Sequence, residues 1–196
     1  TDVTHLATIS GSWEVTGAQN FSGLTRQALD GWTVSTIVTL QSGFPFTPQL
    51  GYNPTGSGDT RNPVRPNLNA AFHGSLYPGT VGRWFDPAAF SAPAYGTVGS
   101  LGRDTLAGPK LTNLDLSLLK RFKVTERIGA QFRAEGFNVL NHTNFALPNA
   151  TVLSAGPTQG SAANQGTVAA ASPTAGVIMS TSTASRQVQF GMKLQF

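Results

Sequence analysis

RQVQFGMKLQF, residues 186–196, is the stretch that decides how this chain is built. Val188, Phe190, Met192, Leu194 and Phe196 fall on one face of an extended strand, and Gln187, Gln189, Gly191, Lys193 and Gln195 fall on the other. Successive side chains of a strand project to opposite faces, so this stretch has one apolar and one polar wall.

Two structures fit such a strand. One is the half-buried terminal strand of a soluble sheet. The other is the wall of a transmembrane β-barrel, apolar to lipid and polar to lumen. Working back from the terminal strand, residues 128–140 and 111–123 alternate in the same way. Leu114, Leu116, Leu118 and Phe122 oppose Asn113, Asp115, Ser117 and Arg121, while Ile128, Ala130, Phe132 and Ala134 oppose Gln131, Arg133 and Glu135. A short turn at 124–127 makes these two a hairpin. Residues 31–46 form a further strand, with Trp32, Val34, Val38 and Leu40 on one face, ended by Pro45 and Pro48. Residues 5–15 form the first, with Ala7, Ile9, Trp13 and Val15 on one face, and 16–30 connect the two.

About five antiparallel up-and-down strands are therefore expected, in a single segment spanning 1–196, with two long loops at about 47–110 and 141–185. The first loop is dense in proline and glycine turn signals, yet Phe72, Tyr77, Trp84, Phe85, Phe90 and Tyr95 argue against full disorder. The second is rich in Ala, Ser, Thr and Gly and reads as flexible. Counted back from Phe196, the connections run long, short, long, medium. Long loops on one side and short turns on the other are the asymmetry of an outer-membrane barrel. A soluble sandwich has no physical reason for it.

Composition agrees with a barrel wall. Only 11% of residues are charged, against about 25% in a typical soluble domain. The net charge of +4 is scattered, with no dense Lys/Arg run, so nucleic acid is not an expected partner. There is no cysteine, which excludes a disulfide framework, a thiolate zinc site and a Cys nucleophile. No apolar run reaches 18 residues, and barrel strands need none. No signal peptide is legible from Thr1, and the chain begins within a strand pattern, which points to a piece of a longer protein.

A series of short motifs carries a resemblance. Gly31-Trp32 with Gln41-Ser-Gly-Phe-Pro-Phe46 comes first, followed by Arg65-Pro-Asn67 and Phe85-Asp-Pro-Ala-Ala-Phe90. Then come Gly99-Ser-Leu-Gly-Arg103 with Gly108-Pro109, and Asn113-Leu-Asp-Leu-Ser-Leu118. Arg133-Ala-Glu-Gly-Phe-Asn138, Asn141-His-Thr-Asn-Phe145 and Arg186-Gln-Val-Gln-Phe-Gly191 complete it. In this order they resemble the C-terminal barrel segment of TonB-dependent, Oar-like outer-membrane receptors, the type that carries a carboxypeptidase-regulatory-like domain. The resemblance covers roughly 31–196.

It implies a location in the bacterial outer membrane, in contact with its lipid, and a role in nutrient uptake. It implies further partners: the remainder of the barrel and its plug, both absent from this chain, and the TonB system through a missing N-terminal part. It also implies that Val188, Phe190, Met192, Leu194 and Phe196 are the signal engaged by the barrel-assembly machinery. Five strands do not close a barrel, and an open edge in lipid leaves backbone groups unsatisfied. The alternative is a stand-alone secreted or surface β domain that binds a ligand or carbohydrate through its aromatic-rich loop.

Motifs for chemistry are sparse. His5, His73 and His142 lack metal-ligand spacing, and His142 suits hydrogen bonding within its turn. No Gly-x-Ser-x-Gly elbow occurs, and Gly56-Ser-Gly-Asp-Thr-Arg61 lacks the lysine of a phosphate loop. Asp115 and Glu135, near Arg121 and Arg133, read either as an acid/base pair or as lumen-facing charges held by arginine. No enzyme activity, catalytic residue, cofactor or metal is expected. Arg61, Arg65, Arg83, Trp84, Asp86 and Arg103 in the first long loop are candidates to face an extracellular ligand; turn-tying within the loop is the competing role.

Overall fold

A computed structural model describes residues 2–16, 20–57, 59, 61–123, 125, 128–154 and 170–196, leaving aside the side chain of residue 24. In chain order the elements are β1 (Leu6–Val15), α1 (Gly23–Leu29), β2 (Trp32–Gln41), β3 (Pro45–Phe46), β4 (Gln49–Leu50), β5 (Asn67–Leu68), β6 (Phe90–Ser91), β7 (Leu106–Ala107), β8 (Leu111–Lys123), β9 (Gly129–Phe137), β10 (Thr151–Ser154), β11 (Ala170–Ala171) and β12 (Gln187–Gln195). The chain divides into two compact units, one holding the long strands and one built from Gly43–Pro109 and Phe145–Ser182 with residues 1–3.

The strand unit is one five-stranded sheet in the order β1-β2-β8-β9-β12. Every neighbouring pair is antiparallel. This is the expected all-β, up-and-down arrangement. Gln41 pairs with Leu111 and Phe137 with Gln187, so both long excursions leave and re-enter at one end. The short connections, 16–31 and 124–128, lie at the other. Register runs without a slip in each pair, as a sheet with two chemically distinct faces demands.

The β8–β9 turn closes by hydrogen bonds from the Thr125 amide to the Ile128 carbonyl at 3.0 Å and from the Ile128 amide to the Thr125 hydroxyl at 3.0 Å. The 16–30 connector contains α1, which its pattern did not reveal. Seven residues are too few to hold a helix in water alone, and the Ser22 side chain makes no capping bond. Instead α1 is held by the strands. Gln27 donates to the Lys123 carbonyl at 2.8 Å, and the Trp32 indole donates to the Ala28 carbonyl at 2.8 Å. Gly31 follows in a left-handed turn (φ 78), where a Cβ would stand 2.9 Å from the Arg121 carbonyl oxygen.

The strand expected over 31–46 stops at Gln41, and Pro45–Phe46 is a separate short strand paired with β7. It belongs to the second unit, whose core is Phe46, Leu50, Phe85, Ala89, Phe90, Leu101, Leu106 and Val152. Phe85 is fully buried, with its ring centroid 5.7 Å from Phe46 and 5.9 Å from Phe90. The aromatics of the first long loop therefore fold it. The second long loop contradicts the flexible reading wherever it is described. Val152, Ala175 and Ile178 are buried, β10 pairs with β4 and β11, and only 155–169 fall outside the described residues.

Candidate functional site

The sheet's two faces are its most distinctive chemistry. On one face, register aligns Trp13, Val34, Leu118, Ala134 and Phe190 across all five strands. Parallel rows carry Ile9, Val38 and Leu114, and Phe132 with Met192. These side chains stand outward: Trp13 is 66% exposed, Phe190 71% and Met192 72%. Val188, Leu194 and Phe196 are exposed as well. Phe132 and Phe190 stack at 6.1 Å, so the apolar residues order one another without being buried. The opposite face carries Thr8, Ser10, Ser12, Ser35, Ser117, Glu135 and Gln189, with Ile37, Leu119 and Phe137 as apolar exceptions. No soluble sheet gains from leaving its apolar face to water and turning hydroxyls the other way.

Lys120 is the exception on the apolar face. It lies in the row of Trp32 and Phe132, yet its side chain is 1% exposed. Its Nζ donates to the carbonyls of Gln27 at 2.8 Å and Ala28 at 2.9 Å, and also to that of Asp30. It lies 4.9 Å from the Trp32 ring and 5.6 Å from Phe122. The long stem runs along the apolar face and the ammonium reaches the helix end at the short-turn edge. This is how a lysine is accommodated at an interface, with the cation on the negative end of the helix dipole.

At the other edge, asparagines join the strand ends. Asn138, buried and left-handed (φ 49), accepts from the His142 amide at 2.9 Å and donates to the carbonyls of His142 at 3.0 Å and Ala184 at 3.1 Å. Its own amide donates to Asp115 Oδ1 at 2.9 Å. Asn144, 1% exposed, accepts from the Thr112 amide and donates to the Thr112 carbonyl and the Thr183 hydroxyl. The His142 ring bonds Asn144 Oδ1 at 3.1 Å, within its own turn. The two asparagine motifs thus tie β8, β9 and the approach to β12 together.

Asp115 and Glu135 have separate surroundings. Asp115 accepts from Asn113 and the Asn138 amide, while Glu135 pairs with Arg133 at 3.5 Å and accepts from Gln189. Among the described residues no cluster of His, Cys, Asp or Glu could hold a metal ion, and no helix is long and apolar enough to cross a membrane.

The loop candidates are distributed over the second unit. Arg83 and Asp86 pair at 3.6 Å, beside Trp84, whose indole donates to the Ala107 carbonyl at 2.9 Å. Arg61 pairs with Asp59 at 3.4 Å, and Arg65 donates to the Leu101 carbonyl at 2.6 Å. Arg103 is exposed. The Asp59 carboxyl is held below its ordinary range by the Arg61 backbone amide and then the Asn62 side chain. Burial raises Tyr52, which lies in a separate cleft of about 350 Å³ with Asp59, Arg61 and Asn62. Two motif pieces meet directly: the Leu101 amide bonds the Pro66 carbonyl, and a Cβ on Gly99 would lie 1.9 Å from the Arg65 carbonyl oxygen. These backbone closures do not show in a sequence pattern.

Residues 1–189 match the family described as "Outer membrane beta barrel domain". No curated protein and no solved structure matches the chain.

Proposed function

The chain belongs to the outer-membrane β-barrel domain family, and from that premise we propose that it forms barrel wall and extracellular loops of a TonB-dependent, Oar-like receptor that takes up a nutrient. Its location is the bacterial outer membrane. The observation that carries the wall reading is the five-strand meander whose outward face is apolar from Trp13 to Phe190. The collinear motifs from Gly31 to Gly191 support the receptor type.

In this reading the apolar face meets lipid, the polar face lines the lumen, the short-turn edge is periplasmic and the two long loops are extracellular. The edges of the sheet, β1 and β12, run parallel to each other because three antiparallel strands, an odd number, lie between them. An all-antiparallel closure therefore takes an odd number of further strands, supplied by the remainder of the barrel. The plug fills the lumen, the TonB system supplies energy, and the barrel-assembly machinery engages the β12 face from Val188 to Phe196. The chain itself performs no catalysis.

Two measurements separate the parts of this reading. In native outer membranes the protein carrying this chain should change gel mobility on boiling; a species soluble without detergent would overturn the wall. The same protein, extracted in detergent, should be captured by the periplasmic domain of TonB. A heat-modifiable barrel that TonB does not capture would overturn the receptor type and leave the wall intact.

A further inference from the structure

A cleft of about 720 Å³ opens at the short-turn edge of the sheet unit. Its lining includes Arg26, Asp30, Arg121, Lys123, Gln131 and Gln195. Register explains why cations gather here. Arg121 pairs with Gln131, and Gln131 with Lys193, so Arg121 and Lys193 flank a neutral residue in one row of the polar face. Two interstrand spacings put their backbones about 10 Å apart. Lys123 stands in the next row, opposite Gly129 and then Gln195. Arg26 reaches the same cleft from α1.

Among the described residues the acids do not match these cations; Glu126, in the turn after Lys123, lies outside those residues. Asp30 lies 4.0 Å from Arg26, an exposed and weak pair. Glu135 is two rows further along and is taken by Arg133. Among the described residues Arg121, Lys123 and Lys193 make no ion pair. The cleft lining thus carries Arg26, Arg121 and Lys123 against Asp30, an excess of two positive charges, with Gln131 and Gln195 beside them; Lys193 stands outside the lining, one strand beyond Gln131 in the same row. Its charges are spread in a row and are not gathered around one point. A single small anion reaches one or two of them at once; an extended acidic chain, with carboxylates about 7 Å apart at alternate residues, reaches the whole row.

We propose that this cleft docks an acidic polypeptide segment at the short-turn mouth of the lumen. The proposal rests on the barrel-wall reading and not on the TonB reading. The partner's carboxylates pair with Arg121 and Lys123 in the cleft and with Lys193 beside it, and the glutamine amides donate to its backbone. Complementary charge of this kind steers encounter and fixes register more than it adds affinity, so binding is salt-sensitive.

The test uses the native barrel in detergent and a fluorescent hexaglutamate peptide, with inorganic phosphate as the competing probe. Saturable peptide binding should weaken by about tenfold or more in the triple variant R121Q/K123Q/K193Q and on raising salt from low to high ionic strength. An R133Q variant, altered on the same face but outside the cleft, should bind the peptide within about twofold of the native protein. Heat-modifiable mobility of each variant shows that the wall has folded. Absence of saturable binding, equal binding by the folded triple variant, or full competition by phosphate at concentrations matched in charge would overturn the proposal. TonB capture is unaffected by any of these outcomes, so failure here is distinguishable from failure of the receptor reading.

Discussion

Replacing Lys120 by Met probes the one charge set into the apolar face. Methionine keeps most of the stem's volume, so the change isolates the ammonium. Lys120 Nζ serves three carbonyls, those of Gln27, Ala28 and Asp30. The Ala28 carbonyl keeps the Trp32 indole, which leaves two acceptors without their donor. Each orphaned acceptor costs about 1–3 kcal/mol, and loss of the contact with Trp32 about 0.5–1 kcal/mol, for a total near 3 kcal/mol after partial access of water. The effect should fall on α1, which has too few residues to persist without these anchors. Urea unfolding in detergent, read by the fraction of heat-modifiable barrel, gives the global loss. Hydrogen exchange at the Asp30 amide, which bonds the Arg26 carbonyl, gives the local one. A loss below about 0.5 kcal/mol with unchanged exchange would refute the anchoring argument, since it would mean that water already satisfies the helix end.

Three further outcomes follow from particular residues. Asn138→Ala removes a side chain with three hydrogen bonds from a left-handed position and should cost about 3 kcal/mol in the same unfolding assay. Phe85→Ala empties the centre of the loop unit at a cost of about 3–5 kcal/mol, seen as faster proteolysis within 43–109 while the barrel stays heat-modifiable. Asp59 has a depressed folded-state pKa, so its contribution is present above the ordinary carboxyl value of 3.8 and is lost as pH falls through the lower folded value. Carboxyl carbon NMR of the Asp59 side chain should show a midpoint below 3.8, and Asn62→Ala should move it upward.

The strands were legible because alternation is a period-two signal that survives in a membrane. Leu111–Lys123 coincides with its expected bounds, and β12 lies one residue inside its own at each end. Lys120 was hidden by the same signal: it interrupts the alternation of Leu118 and Phe122, and only the structure shows α1 waiting at its tip. A seven-residue helix offers two turns of periodicity, too little to separate from a connector. The loop unit was half legible. Phe85 and Phe90 announced a core within proline-rich sequence, but Val152 and Ile178 lie in the short apolar runs Val152-Leu153 and Val177-Ile178-Met179, too brief to carry a period, and Ala175 lies between Thr174 and Gly176, so nothing local marks residues that are buried by long-range closure. The asparagine hub escaped for a similar reason, because its partners lie up to 46 residues away.

The central claim is that the face bearing Val188, Phe190, Met192 and Leu194 meets lipid. The chain has no cysteine, so a single cysteine introduced along β12 is the one thiol this chain contributes, and the unsubstituted protein gives the background. Placed at 187 to 195 in native membranes, those at 188, 190, 192 and 194 should carry fluorophores quenched by brominated lipid and resist a water-soluble thiol reagent. Those at 187, 189, 193 and 195 should do the reverse. Uniform labelling by the aqueous reagent, or lipid quenching on the glutamine face, would contradict the account.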